Sequence, residues 1–473
     1  MNILIVWYED DNFGDNLIKI CFEQLLKVVL KNLNINLNEY NINCMALKKI
    51  DYELLHQSDI IFFAGGGLFG LSYLNFFDYL DEITRAAEEW KIPVVFSSMG
   101  INNMDATPET EGKLRNILER KSIVAVSVRE NLELFKEYAQ NCTFDIELVA
   151  DPATWTKYVY ASQIEKIKKE RVVGINVVRG GLFKDNKKDW GLNREIDYLN
   201  ELKTLLDNAS LKYRFFTNGS FLDNNALKYY ARKNNIPTEQ IILPDCTQDL
   251  VKTVASFDFV VGIRMHSSII SYAMETPCVN LIWNDKIPLF YQNIDMPDRA
   301  IKLENWNANN IFGIISGENN FKINHDYLMS LYTYIYNTVS KIRKIDRKEH
   351  KIYNFYEVCA ELNKISHLID NDNFDLRLKI QKGQNHYLAR FIDLLKNEEE
   401  LTANKKMIAK LNKENESKAK EIEAKTKELK KYKKIAEQKT KELDRLNNKI
   451  IIKLLKKINR ILKKVKKFFS KKD

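Results

Sequence analysis

The stretch that decides how the chain reads is VGIRMHSSIISYAMETPCVNLIWNDKIPLF, residues 261–290. It opens on the end of an apolar run, "FDFVVGI", and breaks into a polar turn carrying Arg264 and His266. "SSIISYAME" follows with apolar residues at helical spacing, and "PCVNLIW" restarts a buried run. Strand, turn, helix and strand in that order make the repeating unit of a parallel sheet covered by helices.

The same grammar extends both ways. "RVVGINVV", "KYRFFTNG" and "QIILPD" read as strands, with "NREIDYLNELKTLLDNAS" as a helix among them. Upstream, "NILIVWY" runs into the loop "EDDNFGDN", then a helical pattern through Ile18, Cys21, Phe22, Leu25, Leu26 and Val29. "SDIIFFAGGGLFG", "IPVVFSSMG", "SIVAVSVRE" and "DIELVADPA" continue the series, with charged helices such as "YLDEITRAAEEWK" between. The expected fold class is α/β: two Rossmann-like domains, residues 1–165 and 166–300, with a cleft between them. Parallel sheets bind ligands beyond the carboxyl ends of their strands. The turns at Gly65–Gly67 and Arg264–His266 both fall at such ends.

Composition narrows the classes. The chain has 473 residues, 45% of them apolar, with 24 Phe and 22 Tyr, enough for two domains with large cores. Six scattered cysteines include no C-x-x-C pair, so reduced thiols are expected rather than a disulfide framework or zinc knuckle. The start has no signal-peptide pattern, and no stretch reaches the roughly eighteen apolar residues of a spanning helix. Net charge is +9, but residues 449–473 hold eleven Lys or Arg against one Asp, so the other 448 residues sum to −1. A general affinity of the whole chain for nucleic acid is therefore not indicated, and no folded nucleic-acid module is evident.

Beyond residue 300 the texture changes. Residues 301–390 are mixed, with "DYLMSLYTYIYNTVSKIRKI" spaced for a packed helix. Over 391–448 glycine and proline vanish, and Leu394, Leu401, Ile408, Ile422, Leu429 and Leu443 share one seven-residue grid. The companion seam is poor, with Asn397, Asn404, Lys418, Lys425 and Lys439 on it, so an oligomerising coil and a solvated spacer helix both fit. In 449–473, Ile450, Leu454, Ile458, Ile461, Val465 and Phe468 trace one helical face among lysines. That pattern suits an anionic membrane surface, with docking on the protein itself or nonspecific nucleic-acid contact as the other readings.

The candidate site centres on the opening stretch. Arg264 presents a planar fork for a carboxylate or phosphate, and Lys286 adds a second cation after the next strand. Ser267 and Ser268 are placed to cap the following helix and leave its amides toward an anion. His266 is placed to act as acid or base beside it, although a lone histidine there also suits a packing role. In the first domain, Asn12 and Asp15, with Asp11, Asn16 and Gly14, suit sugar hydroxyls or a carboxylate base; a turn and helix cap explains them equally. Gly65, Gly66 and Gly67 permit close backbone approach to a ligand, or simply a tight turn. "AGGGLFG" is not a Walker A motif or a dinucleotide fingerprint. "ADPAT" at 150–154 edges the expected cleft or makes a turn. The remaining histidines have no ligand-like spacing, so no metal site is expected.

These pieces together resemble the polysaccharide pyruvyl transferase family. "NFGDN", "GGGLF", "SVRE", "ADPA" and above all the R-x-H-to-Lys block carry the resemblance, over roughly residues 1–300. It implies two Rossmann-like domains in a GT-B-like arrangement, with a C-terminal helical or coiled-coil extension outside it. It implies transfer of the pyruvyl group of phosphoenolpyruvate onto a pair of sugar hydroxyls of a surface glycan or its lipid-linked precursor, forming a ketal. Arg264 and Lys286 would hold the donor with Ser267 and Ser268, His266 would move the proton, and Asp15 would orient the sugar or take its proton. Asn12 and Gly65–Gly67 fall on the acceptor side. No cofactor is expected. The sequence departs from the family's pattern at "EDDNFGDN", which lacks a glycine-rich entry, and at Glu275-Thr276, where a glycine often precedes the proline. The expected partners are a glycan acceptor, an anionic membrane through 449–473 and a second copy through 391–448, without specific nucleic acid. The expected location is cytoplasmic, at the inner face of the membrane. The competing classes are a GT-B-like glycosyltransferase using a nucleotide sugar and a membrane-tethered scaffold.

Overall fold

The structure, a computed structural model, describes residues 1–9, 12–71, 74–102, 106–169, 171–179, 182–186, 188, 190, 192–317, 321–346, 351–369 and 457–462. The chain divides into two units, 1–386 and 387–473. The first holds both sheets.

The first sheet contains β1 (Asn2–Trp7), β2 (Asn41–Ala46), β3 (Ile60–Phe63), β4 (Gly66–Gly70), β5 (Val94–Asn102), β6 (Ile123–Val128) and β7 (Ile146–Leu148). Its order is β2-β1-β3-β5-β6-β7, with β4 also pairing β5, and every pairing is parallel. The second contains β8 (Val172–Asn176), β9 (Lys212–Phe216), β10 (Ile241–Ile242), β11 (Phe259–Gly262), β12 (Cys278–Leu281) and β13 (Ala300–Ile301). Its order is β10-β9-β8-β11-β12-β13, again all parallel. Strands such as IIFF, VVGIN and CVNL are buried throughout, as helices on both faces require.

Both orders reverse direction once, and ligands collect at such switch points. In the first sheet the reversal lies between β1 and β3, whose loops hold Asn12–Asp15 and Gly65. In the second it lies between β8 and β11, and the loop after β11 holds Arg264 and His266. The glycine turn differs from the expected strand-then-loop: Gly66–Gly70 turns back into the sheet as β4. Gly65 and Gly66 make that possible with φ of 109° and 90°, the left-handed region that favours glycine.

Residues 301–369 complete both lobes. The helix Ala308–Ser316 packs on the helix Leu192–Asn208 and so extends the second lobe. The helices His325–Arg343 and Phe355–Ile365 return to the first and pack against the helix Phe13–Asn32. Tyr332 donates to Asn32 Oδ1 at 2.7 Å, Tyr334 to the Phe96 carbonyl at 2.9 Å, and the Trp155 indole to the Leu328 carbonyl at 3.2 Å. One apolar cluster runs from Ile3 and Leu25 through Val251 and Phe290 to Leu331 and Val358. The lobes therefore share a core, and prising them apart would expose apolar surface at roughly 25 cal/mol per Å². The proposed coil, 391–448, lies outside the described residues, as does most of 449–473.

Candidate active site

The helix Phe13–Asn32 starts at a capped turn. Asn12 Oδ1 accepts from the Gly14 amide at 3.3 Å, and Asn12 Nδ2 donates to Asp15 Oδ2 at 2.9 Å. The cap reading of this loop therefore holds, and the cap also delivers Asp15. On the facing lobe, β11 ends at Gly262 and the helix Met265–Ala273 begins, with His266 in its first turn. The two starts touch. A Cβ on Gly14 would lie 2.4 Å from His266 Cβ and Cγ and 2.5 Å from Nδ1. Only a glycine lets the imidazole sit against that turn.

Two more glycines mark the seam. A Cβ on Gly67 would lie 2.8 Å from Lys286 Nζ, and one on Gly219 would lie 2.1 Å from the Phe13 ring. Beside the latter, the Phe13 amide donates to the Asn218 carbonyl at 3.0 Å. The three expected glycines thus part company. Gly65 and Gly66 shape a turn, and Gly67 makes room for the other lobe's lysine.

His266 is 6% exposed. Its Nδ1 lies 3.9 Å from Asp15 Oδ1, and its Nε2 has no hydrogen-bond partner. Burial lowers its pKa from 6.5; Asp15 and Asp151 oppose that, while Arg129 and Lys286 reinforce it. The imidazole is therefore neutral near pH 7. Lys286 opens the helix Lys286–Asn293. Burial lowers its pKa too, with Glu130 and Asp15 pulling the other way and Arg129 adding to the fall.

Arg129 and Glu130 follow β6, and Asp151 follows β7. Arg129 Nε donates to Glu130 Oε2 at 2.9 Å, and its Nη1 donates to Asp151 Oδ2. Burial works against the guanidinium charge, but Glu130 and Asp151 hold it well above the ordinary arginine range. Burial raises the Glu130 pKa against Arg129 and Lys286, and its Oε1 has no partner. Gly100 gives them space: a Cβ there would lie 2.8 Å from Glu130 Oε1 and 3.0 Å from Arg129 Nη2. Asn293 crosses from the second lobe to donate to the Arg129 carbonyl at 3.0 Å.

Other expected residues are placed differently. Arg264 Nε and Nη2 donate to Asp223 Oδ2 and Oδ1 at 2.8 and 2.9 Å, so its fork is engaged by a fully buried carboxylate. Ser267 and Ser268 do not cap toward an anion. Arg264 is the cap residue, Ser267 Oγ donates back to its carbonyl at 2.6 Å, and Ser268 Oγ accepts from Asn280 Nδ2 at 2.8 Å. Both serines are buried, with their hydroxyls close to Gly262. Both hydroxyls are engaged within the second lobe.

His266, Lys286 and Asp15 do come together, and they do so around Arg129, Glu130 and Asp151. The signal for those three was present: "SVRE" and "ADPA" follow strands, where an α/β sheet keeps its ligands. No group of three or more His, Cys, Asp or Glu among the described residues is arranged to hold a metal ion.

Two parallel, doubly wound sheets meeting at a charged seam define a GT-B-like two-domain α/β protein. The chain matches the model of the polysaccharide pyruvyl transferase family over residues 8–285, more than half its length, and belongs to that family. It is an enzyme of the pyruvyl-transferase type. No curated protein matches the chain. Solved structures that resemble it include the UDP-GlcNAc 2-epimerase of Methanocaldococcus jannaschii, at 10% identity over 73% of this chain and 100% of that one, TM-score 0.44. The UDP-N-acetylglucosamine 2-epimerase of Rickettsia bellii aligns at 12% identity over 74% and 97%, TM-score 0.41. Anabaena HepE aligns at 9% identity over 78% and 100%, TM-score 0.39.

Proposed function

We propose that the enzyme transfers the pyruvyl group of phosphoenolpyruvate to two hydroxyls of a sugar on a surface glycan or its lipid-linked precursor, forming a ketal. The observation that carries this reading is the neutral imidazole of His266, held against Gly14 between Asp15 and the cations Lys286 and Arg129. Lys286 and Arg129 meet the phosphate and carboxylate of the donor. Arg264, paired with Asp223 in the second lobe, has no part in holding the donor on this reading.

The proton balance follows from the resting state of the imidazole. His266 is neutral, so it takes a proton from the first acceptor hydroxyl, with Asp15 orienting that sugar, and delivers it to C3 of the donor. C3 becomes a methyl group, and C2 becomes electrophilic and accepts the hydroxyl oxygen. The second hydroxyl then bonds to C2 as the C2–O–phosphate bond breaks, and its proton leaves with the phosphate. Two cations beside the breaking bond stabilise the charge that develops there. The reaction takes place at the cytoplasmic face of the membrane, where a lipid-linked acceptor is within reach.

The test is phosphate release from phosphoenolpyruvate in the presence of candidate sugars and lipid-linked sugars, with the ketal read by mass spectrometry. Stabilisation by UDP- or CDP-sugars without any response to phosphoenolpyruvate would overturn the donor assignment.

A further inference from the structure

Residues 457–462 are helical and exposed, with Ile458, Ile461 and Leu462 at 51, 58 and 59%. They belong to a segment, 449–473, whose composition is unlike the rest of the chain. At ~100° per residue, the apolar residues from Ile450 to Phe469, Ile452 excepted, fall within an arc of about 140°. Ten of the eleven Lys and Arg residues fall outside that arc. Wound as a helix, this sequence would be apolar on one side and cationic on the other, with Asp473 its lone acid.

An occupant has to satisfy both sides. A second copy of the segment would bring +10 against +10. The other 448 residues sum to −1 and offer no surplus of acid to hold it. A nucleic acid would meet the lysines and leave the apolar arc in water. A bilayer carrying anionic lipids meets both, with the arc at the acyl boundary and the lysines among the head groups. Lysines interrupt the segment every few residues, so it has no apolar run near the roughly eighteen residues a spanning helix needs, and the contact is in-plane.

We propose that residues 449–473 dock the enzyme on an anionic bilayer surface as an in-plane amphipathic helix. This does not depend on the identity of the donor or acceptor. It requires apolar insertion and charge together, since neither alone holds a protein firmly on a membrane.

The experiment uses the full chain and three proteins: wild type, a variant carrying Ile458→Ser, Ile461→Ser and Leu462→Ser, and one lacking 449–473. Each is sedimented with phosphatidylglycerol-containing vesicles and with phosphatidylcholine vesicles, and binding to duplex DNA is measured in parallel. The expected result is wild-type sedimentation with the anionic vesicles only. The serine variant keeps every charge and loses at least tenfold in vesicle affinity. The truncated protein does not sediment, while its thermal unfolding matches wild type. Vesicle binding by the serine variant equal to wild type would reduce the segment to a polycation and overturn the proposal. So would DNA binding tighter than vesicle binding, or sedimentation of the truncated protein.

Discussion

Each lobe holds an arginine–aspartate pair, and the two pairs differ in their surroundings. Arg264 gives two guanidinium nitrogens to Asp223, at 2.8 and 2.9 Å, in a fork that matches one cation to one carboxylate. Arg129 divides itself between Glu130 and Asp151, and it lies close enough to influence Lys286 and His266. The first arrangement satisfies itself. The second crowds three carboxylates, two cations and an imidazole along one seam, and burial drives Glu130 toward its neutral form. Residue type did not distinguish the arginines; their neighbours did. The proposed reaction places its chemistry at the crowded pair.

Removing the imidazole has the largest expected effect. His266→Ala lowers kcat by about 10²–10⁴-fold, the usual scale for a lost acid–base group, in the phosphate-release assay. Activity within twofold of wild type would take His266 out of the reaction. The acid limb of the wild-type kcat/KM profile should also lie below pH 6.5, because burial depresses the imidazole.

Gly14→Ala comes next. Its methyl group would stand 2.4 Å from the His266 ring, so the ring or the capped turn must move. Displacement on the order of 1 Å costs about 10²-fold in rate. A well-folded variant with wild-type kcat would show that the contact does not position the imidazole.

The comparison of arginines is sharpened by Arg129→Lys against Arg264→Lys, each with its fold checked by thermal unfolding. The first should lose about tenfold more kcat/KM than the second, ~1.4 kcal/mol of transition-state binding. The reverse order would return the donor to Arg264.

The smallest effect on turnover is expected from Glu195, which lies on the Asp223 side. It is buried, and its pKa is pushed up to about 8 by burial and then by the charge of Asp223, with the Val178 backbone amide pulling the other way. The folded protein therefore holds a proton that the unfolded chain releases above about pH 4.5. Stability falls as pH climbs from about 4.5 to about 8, by at most ~1.4 kcal/mol per pH unit from this one group. Glu195→Gln removes that slope, which denaturant titrations at pH 5 and pH 8 would read. An unchanged slope would mean that Glu195 is ionised where it lies.

Much of the fold could be read from local pattern. Runs such as IIFF and FVVG separated by helices specify a parallel sheet, because a strand covered on both faces must be apolar throughout. The turns after β3 and β11 could be placed at the carboxyl ends of strands for the same reason. The helices His325–Arg343 and Phe355–Ile365 were not assigned to a lobe, because an amphipathic helix states that it must be covered and not by what.

The sequence by itself determined the alternation of strand and helix, the glycines where the chain turns or approaches closely, and the separation of a cationic tail from a nearly neutral body. Only the tertiary structure decided that Asp223 engages Arg264, that Arg129 joins His266 and Lys286, and that Gly14 and Gly67 lie against the other lobe. Backbone periodicity is written every two to four residues and survives in a string. A charge takes its properties from whatever lies within a few ångströms, and those neighbours, 22 residues away for Arg129–Asp151 and 41 for Arg264–Asp223, are chosen by the fold.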